Sequence, residues 1–399
     1  IHFHDDDLDD AGWECSLRWR VPEDVESGVY ALQLAVPGGE DDIPFVVRPK
    51  PGTPRATILL VLPTFSYLAY GNEHLLGSAE TRKLMAELGV DPETLGYPSQ
   101  PQDAYVLENR LNSLYDSHTD GSGVFYSTRL RPVVNMRPRY YMQSLDDGRG
   151  SPHQFNADLH LVDWLHEQGY LFDVITDEDL YRDGLGALEG YRVVLTGTHH
   201  EYWAERMLDA VEGYLDGGGR LMYLAGNGFY WVTELDPEHG HTIEIRRQGP
   251  STRSWDAAPG EGHLGFTGEL GGLWRYRNRA PQKLVGVGFT AQGTGAGRPY
   301  LRQPDSFDPR ASFVFDGVDP NRSMYLADLD GVVAGKPKWR KVFDKSAQVK
   351  NGAIGGGYVY LTTAKDAPRY KLLRLALPEV DMAKAQTLMP PGDYVVDEV

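Results

Sequence analysis

The stretch Ile58-Leu-Leu-Val-Leu62 decides the fold class, because a short unbroken apolar run is typical of a parallel strand that is buried on both faces. Three comparable runs follow at Leu171–Ile175, Val193–Thr196 and Leu221–Leu224. Runs of this length match strands better than helices. The sequence therefore predicts several buried strands in one parallel sheet.

Helical patterns precede two of these runs. In Ser151–Leu165, and again from Trp203 to Tyr214, apolar residues recur near a 3.6-residue period. Strands that alternate with helices imply right-handed crossovers and a doubly wound α/β domain, which we place at residues 51–322. An active site is expected beyond the carboxyl ends of the strands.

Residues 1–50 have a different pattern, with short runs at Cys15–Val21, Val29–Val36 and Ile43–Val47 separated by turn residues. Because three strands make a poor domain alone, we interpret this region as part of a β-sandwich. The Pro-rich segment Arg48–Pro54 reads as a linker to the α/β domain.

The tail also differs in composition. Before Met324 the chain has 3 Lys and 25 Arg, and from Met324 onward it has 8 Lys and 3 Arg. Predicted strands lie at Met324–Leu329, Trp339–Phe343, Gly357–Thr363 and Tyr370–Leu377. We therefore predict a boundary at residues 322–323 and a β-propeller-like fragment over 323–399.

Charge and composition exclude several classes of function. With 39 basic and 57 acidic residues the net charge is −18, which argues against binding to nucleic acid or to anionic membranes. The single cysteine, Cys15, cannot form an internal disulfide, and no apolar window is long enough for a membrane helix. We expect a cytoplasmic protein.

Three loops carry candidate functional residues. The first places His199, His200 and Glu201 where a predicted strand ends and a helix begins, although Glu201 could simply stabilise the helix N-terminus. The second, Thr64–Asn72, contains two tyrosines that could equally be packing residues. The third, Ser113–Val124, is polar enough to bind Ca²⁺ or simply to form a turn.

Familiar catalytic motifs are missing from the sequence. Cys15 lies outside the α/β region, so a Cys-His amidotransferase triad lacks its nucleophile there. No G-x-S-x-G elbow and no H-E-x-x-H pattern occurs. The letters of Gly286–Ala291 match G-x-G-x-x-A, but the strand and helix context of a dinucleotide site is missing.

Together, the stretches Phe65–Asn72, Ser113–Gly123 and Gly197–Trp203 resemble the large (β) subunits of N,N-dimethylformamidases. The resemblance continues through Thr267–Arg275 and Leu284–Ala291 to Arg310–Phe315, so it covers about residues 1–322. It implies a glutamine-amidotransferase-like α/β domain and hydrolysis of N,N-dimethylformamide to dimethylamine and formate. It also implies a small (α) partner subunit and a homo-oligomer of that heterodimer.

The resemblance further implies a mononuclear ferric ion held by two tyrosines and one glutamate. Carried over by motif, the glutamate ligand is Glu201, the nearby catalytic histidine is His199, and one tyrosine ligand is Tyr115. The second tyrosine ligand is Tyr70 or Tyr67, and the sequence motif does not distinguish between them. Phenolate and carboxylate oxygens suit Fe³⁺, and a small neutral amide needs no electrostatic steering.

The chain departs from the family pattern after Phe313–Phe315. A Gly-rich segment with a further catalytic glutamate is expected there, but the segments 335–340, 346–351 and 361–371 are instead similar to the β-propeller of prolyl oligopeptidases. Turnover is therefore expected to be impaired. Two alternatives remain, a non-catalytic binding module and a metal-free hydrolase that uses His199 and Glu201 directly.

Overall fold

The computed structural model describes residues 4, 6–50, 52–74, 98, 100–143, 150–251, 253–290, 310, 324–326, 338–367 and 370–392. The chain divides into two compact units, Ile1–Gln292 and Gly293–Val399. The predicted boundary at residues 322–323 lies outside the described residues. The division into three domains therefore stays a prediction.

The first unit contains ten strands and six α-helices among its described residues. The strands are β1 (Gly28–Val36), β2 (Gly39–Val47), β3 (Ile58–Leu62), β4 (Tyr126–Thr128), β5 (Phe172–Thr176), β6 (Val193–Thr196), β7 (Tyr202–Trp203), β8 (Arg220–Met222), β9 (Trp231–Leu235) and β10 (Thr242–Ile245). The helices are α1 (Thr64–Ala69), α2 (Pro101–Asn109), α3 (Phe155–Glu167), α4 (Asp177–Asp183), α5 (Glu205–Asp216) and α6 (Pro281–Val285).

Each of the four apolar runs overlaps a strand of one parallel sheet, in the order β5-β3-β6-β8. Successive residues of β3 point to opposite faces, as the pleat requires. Leu60 and Leu62 pack with Val162 and Leu165 of α3 on one face. On the other face Leu59 and Val61 join the cluster that contains Met207, Leu208 and Val211 of α5. Helices therefore cover both faces, and the more specific glutamine-amidotransferase-like description stays a prediction.

A second sheet lies in the same unit and is not predicted by the sequence. Its order is β4-β10-β9-β7, with antiparallel pairs on both sides of β10 and a parallel pair between β7 and β9. The short strand β7 directly follows Glu201. This sheet therefore contributes directly to the position of the predicted site.

The N-terminal region forms a single antiparallel hairpin of β1 and β2, which turns at Pro37 and Gly38. Cys15–Val21, for which a strand is predicted, forms none. Leu17 and Trp19 in this stretch are largely exposed, so alternation alone did not indicate a buried face. The partial β-sandwich stays a prediction.

The second unit contains strands β11 (Met324–Leu326), β12 (Arg340–Phe343), β13 (Val349–Gly355), β14 (Tyr358–Thr363), β15 (Lys371–Ala376) and β16 (Gln386–Met389). The last four form an antiparallel sheet in sequential order. Its core includes Val349, Val359, Leu361, Leu373 and Leu375. One four-stranded meander is compatible with a propeller blade, but the propeller assignment itself stays a prediction.

Among the described residues, none of the helices combines the length and the apolar character that crossing a bilayer requires. The cytoplasmic location stays a prediction.

Candidate active site

Two strand ends of the parallel sheet bring the first and second candidate loops together. Helix α1 begins directly after β3 and ends before Tyr70, while residues 197–201 follow β6. The Glu201 backbone N–H donates to Ser66 Oγ at 3.2 Å, which joins the two loops. Tyr70 and Glu201 consequently meet beyond the carboxyl ends of adjacent strands.

Gly197 sets the path of the first loop where β6 ends. Its backbone N–H donates to the Val61 carbonyl at 2.9 Å. A Cβ atom at this position would lie 2.5 Å from Pro63 Cδ and 2.7 Å from Asp158 Oδ1. The close approach leaves room only for glycine, and this allows the loop to turn back toward Tyr70.

Glu201 is the centre of the site and is only 4% exposed. Tyr70 Oη donates to Glu201 Oε2 at 2.7 Å, and His199 Nε2 lies 2.9 Å from the same oxygen. Trp231 Nε1 donates to the other oxygen, Oε1, at 3.1 Å. Both carboxylate oxygens are therefore held in fixed positions by a strand residue and two loop residues.

Tyr115 reaches this cluster from the third loop. Its ring centroid lies 4.6 Å from that of Tyr70, and its hydroxyl hydrogen-bonds to the Tyr202 hydroxyl. The guanidinium carbons of Arg247 and Arg253 lie 4.1 and 3.7 Å from the centroid of the Tyr115 ring. Guanidinium groups over an aromatic face attract its π-electrons. They also place positive charge beside the phenol.

Tyr67, the alternative to Tyr70, has a different partner. Its hydroxyl donates to Asp158 Oδ2 at 2.5 Å, and Asp158 Oδ1 accepts the Thr198 backbone N–H at 2.5 Å. The structure thus brings Tyr70, Tyr115, His199 and Glu201 together and directs the Tyr67 hydroxyl to helix α3. His200 faces Trp203 and Asp177, with its Nε2 3.5 Å from Asp177 Oδ1.

The electrostatics of the cluster favour an ionised glutamate beside neutral phenols. Burial alone would raise the pKa of Glu201, but the hydrogen bond and charge of His199, together with Tyr70 and Arg247, lower it. Burial and the charge of Glu201 raise the pKa of Tyr70 well above its usual value. They also raise the pKa of Tyr115, although Arg247 and Arg253 oppose the shift. A bound cation would be needed to ionise these phenols near neutral pH.

Sequence reasoning missed His153, which completes the wall of the cluster. Its ring packs edge-on against Tyr70 and His199, with centroids 5.1 and 5.5 Å away. Burial, with smaller contributions from His199 and Arg253, lowers its pKa to about 3, so the ring is neutral. Its Nδ1 is buried and has no hydrogen-bond partner among the described residues. The only sequence signal was a histidine two residues before helix α3.

Arg247, Arg253, Tyr202 and Trp231 were missed as well. The two arginines follow β10 in the chain, and Trp231 begins β9, so no motif links them to the three loops. Tyr202 is next to Glu201 in the stretch Gly197–Trp203, but the sequence does not indicate that its hydroxyl contacts Tyr115.

Comparison with known proteins identifies the family of the chain. The chain is 40% identical over 340 residues to the N,N-dimethylformamidase beta subunit of Alcaligenes sp, and 39% identical over 340 residues to that of Paracoccus aminophilus. In both cases the match covers 84% of this chain and 43% of the relative, so the chain spans less than half of either relative. A family model described as N,N-dimethylformamidase beta subunit-like, C-terminal, matches residues 1–371, which continues past the predicted boundary at residues 322–323. The chain therefore belongs to the N,N-dimethylformamidase beta subunit-like, C-terminal family.

Proposed function

We propose that this chain forms the catalytic part of an amide hydrolase that converts N,N-dimethylformamide, or a similar small N-substituted formamide, to an amine and formate. The observation that carries the proposal is the convergence of Tyr70, Tyr115, His199 and Glu201 at the carboxyl ends of the central strands. Both relatives are named N,N-dimethylformamidase beta subunits, which supports the same reaction here.

The donor set suits a mononuclear ferric ion held by Tyr70, Tyr115 and Glu201. Phenolate and carboxylate are hard oxygen donors, and three negative charges would balance a trivalent ion. Tyr70 Oη already lies 2.7 Å from a Glu201 oxygen, and the Tyr115 ring packs against the Tyr70 ring. Tyr67 is not included in this set because its hydroxyl bonds to Asp158.

When bound, the ion would supply Lewis-acid polarisation of the amide carbonyl and would lower the pKa of bound water. The protein residues around it have separate tasks. Trp231 orients Glu201 by donating to Oε1, and Arg247 and Arg253 offset negative charge on Tyr115. His199 is partly exposed and lies 2.9 Å from Glu201, where it can hold the proton that the leaving amine requires.

The exposure of the site residues bears on the substrate, and the names of the relatives bear on the partners. Tyr115 and His199 are only partly buried, so a small neutral amide can reach the cluster. Because both relatives are named beta subunits, we propose that a small alpha subunit binds this chain and that the heterodimer assembles further as a homo-oligomer.

A visible spectrum with metal analysis tests the proposal most directly. The iron-loaded chain should absorb visible light through phenolate-to-iron charge transfer. Tyr70→Phe, Tyr115→Phe and Glu201→Ala should each lose iron and colour. Tyr67→Phe is the matched control, because it removes a buried phenol hydroxyl that bonds to Asp158, and it should stay coloured. Colour that survives in Tyr70→Phe and Tyr115→Phe would refute the ligand assignment.

The same preparation separates the alternatives. Exhaustive chelation should abolish hydrolysis of N,N-dimethylformamide, whereas a metal-free hydrolase that relies on His199 and Glu201 would remain active. A binding module would show neither iron nor hydrolysis. The iron occupancy and the turnover rate of the same preparation test the prediction that a catalytic glutamate of the family is missing. Full iron occupancy combined with slow turnover would support that prediction.

A further inference from the structure

We propose a second metal site, for a divalent transition cation such as Zn²⁺, formed by His4, Asp7 and His118. One ligand atom from each residue lies within 4.8 Å of the others. His118 Nε2 is 3.4 Å and His4 Nδ1 is 4.0 Å from Asp7 Oδ1. Two ligands at 2.0–2.1 Å from a tetrahedral Zn²⁺ would lie roughly 3.3 Å apart, so the two distances to Asp7 need little closure. The parallel His4 and His118 rings must in addition tilt apart for both lone pairs to reach one ion.

Each histidine is anchored through its other ring nitrogen. His118 Nδ1 lies 2.7 Å from Asp6 Oδ1, while His4 Nε2 lies 3.2 Å from Asp120 Oδ2 and 2.9 Å from Ser122 Oγ. Metal-binding histidines typically donate their second N–H to a carboxylate, which fixes the tautomer and orients the ring. This arrangement leaves His4 Nδ1 and His118 Nε2 as free lone pairs that face Asp7.

His118 gives an independent indication of a ligand. Its side chain is fully buried, and its Nε2 has no hydrogen-bond partner among the described residues. Leaving a buried polar atom without a hydrogen-bond partner reduces the stability of the folded state. A cation between His118 Nε2 and Asp7 Oδ1 would satisfy the nitrogen and offset the negative charge of Asp6, Asp7 and Asp120.

The site would join two separate parts of the first unit. His4 and Asp7 belong to the N-terminal segment, and His118 belongs to the loop that carries Tyr115. The His4 and His118 rings are stacked in parallel with centroids 3.8 Å apart, so the two segments are already in contact. Three protein ligands leave one coordination position, which a water molecule would fill.

Asp236, His239 and His241 form the other such group among the described residues and provide a control. His239 is mostly exposed, and none of these three side chains has a buried nitrogen or oxygen without a partner. The second group therefore shares the residue types of the first without its burial. We assign no metal to it.

The test is a Co²⁺ titration of the full chain after chelation, because Co²⁺ substitutes for Zn²⁺ and absorbs visible light. A Glu201→Gln background removes the proposed ferric site, so failure of that site does not affect the result. We expect one tightly bound Co²⁺, which is lost in His4→Gln and His118→Gln and retained in His239→Gln. Asp6→Asn should weaken binding by about 10–100-fold, since it removes the anchor of His118.

Circular dichroism reports whether each variant is folded. If His118→Gln does not fold, His4→Gln decides, because its side chain lies at the edge of the site. Absence of Co²⁺ binding in the background protein would overturn the proposal. Equal binding in His4→Gln and in the background protein would also overturn it.

Discussion

One of the two carboxylate oxygens of Glu201 accepts its hydrogen bond from a single tryptophan. Trp231 Nε1 donates to Oε1, while Tyr70 and His199 share Oε2. Trp231→Phe keeps the aromatic packing and removes this donor, so a buried carboxylate oxygen loses its partner. We expect the free energy of unfolding to fall by about 1–3 kcal/mol and iron to bind more weakly.

Denaturant unfolding and metal analysis measure these two effects. Trp164→Phe is the matched control, since Trp164 is about half exposed on helix α3. It should change neither quantity. A Trp231→Phe variant that is as stable as the wild type would show that the indole hydrogen bond contributes nothing to holding Glu201.

At the residue scale, the resemblance to N,N-dimethylformamidase β subunits implied His199, Glu201 and Tyr115 as site residues, since each lies in a loop that carries part of that resemblance. It could not choose between Tyr67 and Tyr70, which are three residues apart in one loop. The choice depends on which hydroxyl faces Glu201 and which faces Asp158, and that is set by packing against helix α3. The metal-binding role of all these residues stays a prediction.

At the element scale, helix α3 holds the loop after β6 through Asp158. Burial raises the pKa of Asp158 to about 6, although the hydrogen bonds from Tyr67 and Thr198 oppose the shift. Its folded pKa thus exceeds the unfolded value of 3.8, so the folded state binds more protons between these two values. The stability that Asp158 contributes is full below about pH 4 and is lost as the pH rises through about 6.

Denaturant unfolding across this pH range checks the sign. In Asp158→Asn the corresponding fall in the free energy of unfolding between about pH 4 and pH 6 should disappear. Asp163→Asn, on an exposed position of the same helix, should retain the wild-type profile. Identical profiles in wild type and Asp158→Asn would show that Asp158 has an ordinary pKa.

The elements were predictable where local pattern determines them. The parallel strands and helices α3 and α5 follow from short apolar runs and a 3.6-residue period. The second sheet was missed because β4 pairs with β10, more than a hundred residues later, and both strands are short. Such pairing depends on contacts between residues that are distant in sequence, and the local periodicity of apolar residues does not indicate them.

At the scale of the whole molecule, all residues of the candidate site belong to the first unit. Leu361 is buried in the separate core of the second unit. Leu361→Ala should destabilise that unit by about 2–5 kcal/mol, because it leaves a cavity in the core. The charge-transfer colour of the first unit should remain unchanged.

Thermal unfolding followed both by circular dichroism and by visible absorption separates the two units. We expect an additional transition at lower temperature in circular dichroism alone. Leu388→Ala, at a more exposed position of β16, serves as the control. Loss of colour in the lower transition would show that the two units do not unfold independently.

The close packing around Gly197 limits which amino acids this position can hold. In a library that randomises residue 197 and is screened for iron colour, glycine alone should survive, because any larger residue collides with Pro63 and Asp158. A parallel library at Gly186, where an added Cβ meets nothing within 4 Å, should tolerate many residues. The approach of Pro63 and Asp158 to residue 197 therefore restricts this position, behind the glutamate, to the one amino acid without a side chain.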